Sequence, residues 1–194
     1  LNINTVAVCF LHSYANPAHE KRFCEVFLEE HPSCVMVRSS DVAPEIREFE
    51  RTSTAVINAS TVPIITSYLD ELNNDLSQRG LSRELYVMQS NGGIISAITA
   101  RDYPARTVMS GPSGGVVGAQ FLANKAGLDN VVTIDMGGTS SDMGVISNGQ
   151  ALTVDESRVD GWPIMAPMIE ILAIGAGGGS IAWIDSGGAL RVGP

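Results

Sequence analysis

Short apolar runs alternate with longer amphipathic stretches along the first half of the chain. Thr5–Leu11 (TVAVCFL) is a continuous run of small and β-branched residues, which predicts a buried strand. Asn16-Pro17 then opens a helix, because Asn can cap and Pro suits a first turn. That helix is expected to reach about Glu30, with Phe23, Val26 and Phe27 on one face, and to stop at His31-Pro32. Cys34–Arg38 (CVMVR) reads as the next strand, and strand–helix–strand order implies a parallel or mixed sheet covered by helices. Ser39–Glu48 reads as a polar loop. From about Glu50 to Leu76 the spacing of Val56, Ile57, Ile64, Ile65, Tyr68, Leu69 and Leu72 is helical, and Pro63 is expected to bend or split that helix. Gln78-Arg79-Gly80 marks its end.

In the second half, glycines punctuate the pattern. Leu85–Gln89 predicts a strand closed by Ser90-Asn91-Gly92-Gly93. A helix is expected after Pro112, with Ser113 as its cap, continuing to about Ala126. Val131–Met136 predicts a strand running straight into Gly137-Gly138-Thr139. Gly144–Ser147 and Ala151–Val154 flank Asn148-Gly149, a strong two-residue hairpin signal. Beyond Asp160, Pro163, Pro167 and further glycines predict loops around a strand at Ile169–Ile174. No internal repeat is evident. The expected fold class is α/β, a mixed sheet with flanking helices.

Composition narrows the function. The chain has 194 residues, long enough for a sizeable core, and its 44% hydrophobic and 17% charged content is ordinary for a globular protein. A net charge of −9 without a Lys/Arg stripe does not suit a surface that neutralises nucleic-acid phosphates. It leaves room for a nucleotide site, because backbone N–H groups can hold phosphate. No apolar run approaches the roughly 18 residues of a membrane span, and no signal-peptide pattern opens the chain. Cys9, Cys24 and Cys34 are odd in number and widely spaced, which reads as reduced, buried thiols in a cytoplasmic protein. Leu1 and Gly193-Pro194 look like ends inside a longer polypeptide.

The strongest chemical signal is Asp135-Met136-Gly137-Gly138-Thr139-Ser140-Ser141-Asp142 between two β runs. Glycines there let backbone N–H groups approach a polyphosphate, and the Thr and Ser hydroxyls add donors. Asp135 and Asp142 repel phosphate directly but suit a magnesium ion bridging its oxygens, usually through water. One of them could instead orient an attacking group. A plain strand–turn–strand is the competing reading. Gly175-Ala176-Gly177-Gly178-Gly179-Ser180 follows an apolar run and suits a ligand loop or a structural turn equally. It is neither a Walker loop, since no Lys follows, nor a dinucleotide fingerprint.

Two weaker loops are Ser90–Gly93 at a strand end and Ser110–Gly115 at a helix start, both favoured places for ligands. Arg47, Arg51, Thr52, Ser53 and Thr54 could line a polar pocket or form a solvated face. His12 follows a strand and could face a cleft, while His19 and His31 read as helix-surface and helix-end residues. Trp162 and Trp183 read as packing residues.

Taken together, AVCFLHSYANPAHE, EIREFERTSTAVINA, MQSNGG, SGPSGGVVGA, DMGGTSSDMGV and GAGGGSIAWID resemble the hydantoinase A/oxoprolinase family, in order and over nearly the whole chain. That family includes N-methylhydantoinases, 5-oxoprolinases and acetone-type carboxylase subunits. The resemblance implies an incomplete actin/hexokinase-like (ribonuclease H-like) ATPase lobe over residues 1–160. Residues 161–194 would be a glycine-rich nucleotide- and substrate-side segment continuing beyond this chain. It implies ATP and magnesium as cofactors, with Asp135 and Asp142 as catalytic and metal-binding residues and Gly137, Gly138, Thr139 and Ser140 holding phosphate. Gly177, Gly178, Gly179 and Ser180 would contact the nucleotide, and Asn91, Gly92 and Arg51 would lie on the substrate side. Ser141 and Met143 depart from the Thr and Val of the family's loop, and the opposing phosphate loop of the fold is not in this chain. The implied activity is ATP-driven opening of a cyclic amide such as a hydantoin or 5-oxoproline, with a hydantoinase B-type second subunit or domain. An acetone-type carboxylase subunit and a non-catalytic nucleotide-binding module are the alternatives.

Overall fold

The structure, a computed structural model, describes residues 3–193. In chain order the elements are β1 (Thr5–Val8), α1 (Ala18–Glu30), β2 (Val35–Arg38), α2 (Ser39–Val42), α3 (Glu48–Gln78), β3 (Tyr86–Met88), β4 (Ile94–Ser96), α4 (Ala97–Asp102), a 3-10 turn (Pro104–Thr107) and α5 (Ser110–Ala126). Short strands follow: β5 (Val131–Met136), β6 (Ser141–Ser147), β7 (Gln150–Ala151), β8 (Thr153–Val154), β9 (Ser157–Val159), β10 (Trp162–Ile164), β11 (Met168–Ile169), β12 (Ile171–Ile174), β13 (Ile181–Ile184) and β14 (Leu190–Gly193). The chain forms two compact units. The first comprises residues 1–89, 93–108 and 155–167, and the second 90–92, 109–154 and 168–194. The boundary expected at residue 160 falls inside the first unit's 155–167 stretch.

In the first unit β1 and β2 pair in parallel, as the strand–helix–strand pattern predicts, with Thr5 opposite Val35. β1 is shorter than expected because the chain turns at His12, whose φ is +56°. α3 lies along this sheet, and Val37, Ala59 and Val62 form one small core. Leu69, Ala97 and Ala100 form another with the β3–β4 hairpin. α3 runs through Pro63 as one helix, so the proline does not split it. Pro63 is exposed, while Val62 and Leu69 are anchored in the core, so packing on both sides outweighs the lost helical hydrogen bond, about 3 kcal/mol.

Only part of the large apolar set of α3 is buried, Leu69 among it. Val56, Ile64 and Tyr68 are exposed, and Arg51, Ser53, Thr54, Ala55, Asn58 and Ala59 are buried. Small and polar side chains let β1 and β10 approach closely, and they are satisfied: Thr54 Oγ1 accepts the Met165 N–H at 2.8 Å, and Asn58 bridges the Asp102 carbonyl and the Ala105 N–H. In α1, Cys24 is buried as its reading as a buried thiol expects, together with Glu20, while Phe23 and Val26 are exposed. The expected polar loop after β2 begins instead with the short helix α2.

In the second unit a four-stranded antiparallel arrangement, β12-β6-β5 with β7 on β6, is covered on one face by α5. Asn148-Gly149 forms the expected tight turn, with φ of +51° and +75°. The returning run divides at Leu152: β7 stays on β6, and β8 pairs with β11. The strand expected at Ile169–Ile174 is likewise broken at Glu170 into β11 and β12. α5 begins at Ser110, three residues before the expected Ser113 cap, with Met109 in the left-handed region (φ +63°) at its N-terminal boundary. Ser113 is fully buried inside the first turn, and its hydroxyl lies 2.9 Å from the carbonyls of Met109 and Ser90. β13 and β14 form a hairpin closed by Asp185, which accepts N–H bonds from Gly187 and Ala189.

Candidate active site

The site grows from the β5–β6 hairpin. Antiparallel register places Asp135 directly opposite Asp142 and Met136 opposite Ser141, and the turn Gly137–Ser140 closes with a 2.9 Å bond from the Gly137 N–H to the Ser140 carbonyl. Residues directly opposite share a face, with Cβ atoms roughly 5 Å apart. Val131, Thr133 and Asp135 therefore share a face with Asp142, Gly144 and Ile146. This is the face that α5 covers, since Val116 packs with Val131 and Ile146. Gly144 makes the close approach possible: a Cβ there would lie 2.5 Å from Val116 Cγ2. Thr133 Oγ1 accepts the Gly144 N–H at 3.1 Å and fixes the register beside it.

At the open end of this face lies a cleft of about 220 Å³, lined by Pro112, Gly115, Thr133, Asp135, Asp142 and Ile171 among others. Asp135 is exposed and Asp142 half-buried. Among the described residues neither carboxylate has a hydrogen bond or an ion pair. Like charges directly opposite each other destabilise an antiparallel pair. Two carboxylates so placed are what a hard, oxygen-seeking cation needs from a protein that supplies one or two ligands. No group of three or more His, Cys, Asp or Glu able to hold a metal occurs among the described residues.

A second glycine segment packs against the turn. The N–H groups of Gly178 and Gly179 donate to the carbonyls of Gly137 and Gly138 at 2.9 and 2.8 Å, and the Ser141 hydroxyl donates to the Ala176 carbonyl at 2.6 Å. Gly177 N–H donates to Ser180 Oγ, and Ser180 N–H to the Gly177 carbonyl. The sequence suggests Gly177–Ser180 as nucleotide contacts, yet all four of their N–H groups are engaged within the protein. By contrast, the N–H groups of Gly138, Thr139 and Ser140 have no partner among the described residues, and all three residues are exposed.

Arg51, His12 and the three cysteines belong to the first unit. Arg51 is 1% exposed, and its guanidinium donates to Ser39 Oγ, the Glu45 carbonyl and the Phe10 carbonyl while sitting 5.6 Å from the Tyr14 ring. A side chain so enclosed holds its loops together and offers no face to a substrate. It belongs to a buried polar network around Glu20, which is fully buried and accepts bonds from the Phe10 N–H, the Ser40 N–H and Ser39 Oγ. Burial pushes the Glu20 pKa up, but these hydrogen bonds together outweigh it and leave the carboxyl below its usual value. Burial raises the thiol pKa of Cys9 and of Cys24, and all three cysteines are free. His12 is exposed, with its backbone N–H directed at Glu48.

Asn91 and Gly92 form the β3–β4 turn rather than an open strand end. Gly92 has φ of +84°, and a Cβ on it would lie 2.7 Å from Val117 Cγ2, so glycine is required for packing there. Sequence reading missed Thr133 as a register pin and cleft wall, although the two-residue alternation of β5 aligns it with Asp135. It also missed the Ser141–Ala176 bond, which joins residues 35 positions apart and leaves no local signal.

Comparison with known proteins gives the family of the chain. The hydantoinase/oxoprolinase family model matches residues 51–194. The alpha subunit of a caprolactamase from Pseudomonas jessenii is 35% identical over 99% of the chain, which covers 28% of that protein. A 5-oxoprolinase from Saccharomyces cerevisiae is 34% identical over 99% of the chain, covering 15% of that protein. Among solved structures, the ATP-dependent caprolactamase of Pseudomonas jessenii superposes with a TM-score of 0.82 at 33% identity, over 98% of this chain and 28% of its own. A nucleotide-free acetone carboxylase gives 0.82 at 31% identity, over 98% and 27%. The chain thus spans under a third of the length of these relatives, and its mixed α/β architecture is theirs. Its sequence, and a fold that carries that sequence in the same arrangement, place this chain in the hydantoinase/oxoprolinase family.

Proposed function

We propose that this chain supplies the nucleotide-phosphate loop of an ATP-dependent enzyme that opens a cyclic amide, within an actin/hexokinase-like lobe. The observation that carries the reading is the pairing of Asp135 with Asp142 beside a turn whose Gly138, Thr139 and Ser140 N–H groups have no partner among the described residues. Those N–H groups and the Thr139 and Ser140 hydroxyls suit polyphosphate oxygens, and the paired carboxylates suit a magnesium ion held partly through water. The cleft, about 220 Å³, has room for the phosphate end of a nucleotide rather than the whole molecule.

The resemblance to this family implies the chemistry. Transfer of the γ-phosphoryl group to an amide oxygen releases ADP and weakens the adjacent C–N bond. Water would then add at the carbon and the ring nitrogen would leave as an amine, giving an acyl phosphate, and a second water would hydrolyse that to the carboxylate and free phosphate. The protein's share is positioning and charge neutralisation. The relatives named caprolactamase and 5-oxoprolinase support a cyclic-amide substrate, and those named as subunits of caprolactamase and acetone carboxylase support a partner subunit. The hydantoinase B kind of that partner is part of the proposal. The structural likeness to acetone carboxylase equals that to caprolactamase, which makes a carboxylase subunit the second reading.

The full-length protein with its partner, given magnesium and ATP, separates these readings by product. Ring-opened lactam, hydantoin or 5-oxoproline with stoichiometric ADP supports the proposal. A carboxylated ketone formed from acetone and bicarbonate moves the assignment to the carboxylases. Nucleotide binding with neither product identifies a non-catalytic module.

A further inference from the structure

The glycine segment Ala176–Ser180 lies against the phosphate loop in a way that nucleotide contact does not explain. Its four N–H groups from Gly177 to Ser180 are engaged, two of them on the carbonyls of Gly137 and Gly138. The fit depends on glycine at particular positions. A Cβ on Gly177 would lie 2.7 Å from the Gly137 oxygen and 2.7 Å from the Gly138 carbonyl carbon, and one on Gly179 would lie 3.0 Å from the Gly138 oxygen. Backbone atoms cannot swing aside as a side-chain end can, so Gly177 excludes any larger residue unless the loop moves, and a larger residue at Gly179 requires the Gly138 carbonyl to give by a few tenths of an ångström. Neighbouring Gly175 is different, since a Cβ there would meet open space.

We infer that Ala176–Ser180 is a brace that orients the phosphate loop, with Gly177 and Ser141 as its positioning residues, rather than a direct contact to the nucleotide. Drawing the Gly137 and Gly138 carbonyls toward the brace keeps acceptor oxygens out of the phosphate position. Each peptide unit is planar, so fixing a carbonyl also fixes the N–H of the following residue on the opposite side. The bonds at Gly137 and Gly138 therefore direct the N–H groups of Gly138 and Thr139 away from the brace. Ser141, 2% exposed, ties the base of the loop to Ala176. The inference rests on the phosphate-loop reading above.

The test compares magnesium–ADP and adenosine binding to the full-length protein by calorimetry, adenosine by competition. Gly177→Ala is expected to weaken ADP by at least about tenfold, the equivalent of one lost hydrogen bond to a charged group, and to leave adenosine within about twofold. Gly175→Ala is expected to leave both unchanged. If Gly177→Ala does not fold, Ser141→Ala, which removes the bond to Ala176 without adding volume, is expected to weaken ADP selectively and by a smaller factor. Equal loss of ADP and adenosine overturns the brace in favour of direct contact with the nucleoside. Wild-type affinity in a folded Gly177→Ala also overturns it. A wild type that binds ADP no better than adenosine, and is indifferent to Asp135→Ala, overturns the phosphate-loop reading and the brace with it.

Discussion

Glu20 and the pair Asp135–Asp142 are acidic residues under opposite conditions. Glu20 is enclosed by three donors, whereas the two aspartates face each other with no protein partner among the described residues. The first arrangement stabilises the fold and the second suits a ligand. Glu20→Gln is expected to destabilise the protein by about 1–3 kcal/mol at neutral pH, because a charge-assisted network loses its acceptor charge. Its folded pKa lies below the ordinary 4.5, so the carboxylate's contribution is complete above about pH 4.5 and is lost as pH falls through the lower folded value. Chemical denaturation of both proteins across that range measures it: the gap should be constant from pH 7 to 5 and narrow below. A gap that widens with acid contradicts the assignment. None of this network was legible in the sequence, since Glu20, Ser39 and Arg51 meet only after three elements have packed.

Elements declared themselves where their signals are local. β5, the Asn148-Gly149 turn and the end of α1 at His31 lie where the residue pattern puts them, because a turn is decided by a few neighbouring residues. The buried positions of α3 include Arg51, Ser53, Thr54 and Asn58 beside Val62 and Leu69, a mixture that the spacing of its large apolar residues does not show. Burial there is set by how closely β1 and β10 approach, which periodicity does not encode. Pro63 does not split α3, since tertiary packing overrides a local breaker. Pro63→Ala is accordingly expected to stabilise the fold by about 1–3 kcal/mol, restoring a helical hydrogen bond at an exposed site. A thermal or denaturant midpoint that does not rise would mean that the proline's missing bond is already compensated.

For the whole molecule, the recurring theme is that distant segments complete what one loop begins. The loop from Asp135 to Asp142 was readable as a motif, but the register that opposes its aspartates, the helix that roofs the cleft and the glycine brace become visible only in three dimensions. The sheet β12-β6-β5 also presents Val132, Ile134, Met136 and Leu172 outward, a contiguous apolar face in a chain spanning under a third of the length of its relatives. The central claim concerns the loop itself, and one titration tests it most directly: ATP binding to the full-length protein with and without magnesium, in wild type and in Asp135→Ala. The account predicts magnesium-dependent binding in the wild type and a loss of at least about tenfold, roughly 1.4 kcal/mol, in the variant. Binding of equal strength in the two proteins, or binding indifferent to magnesium, would contradict it.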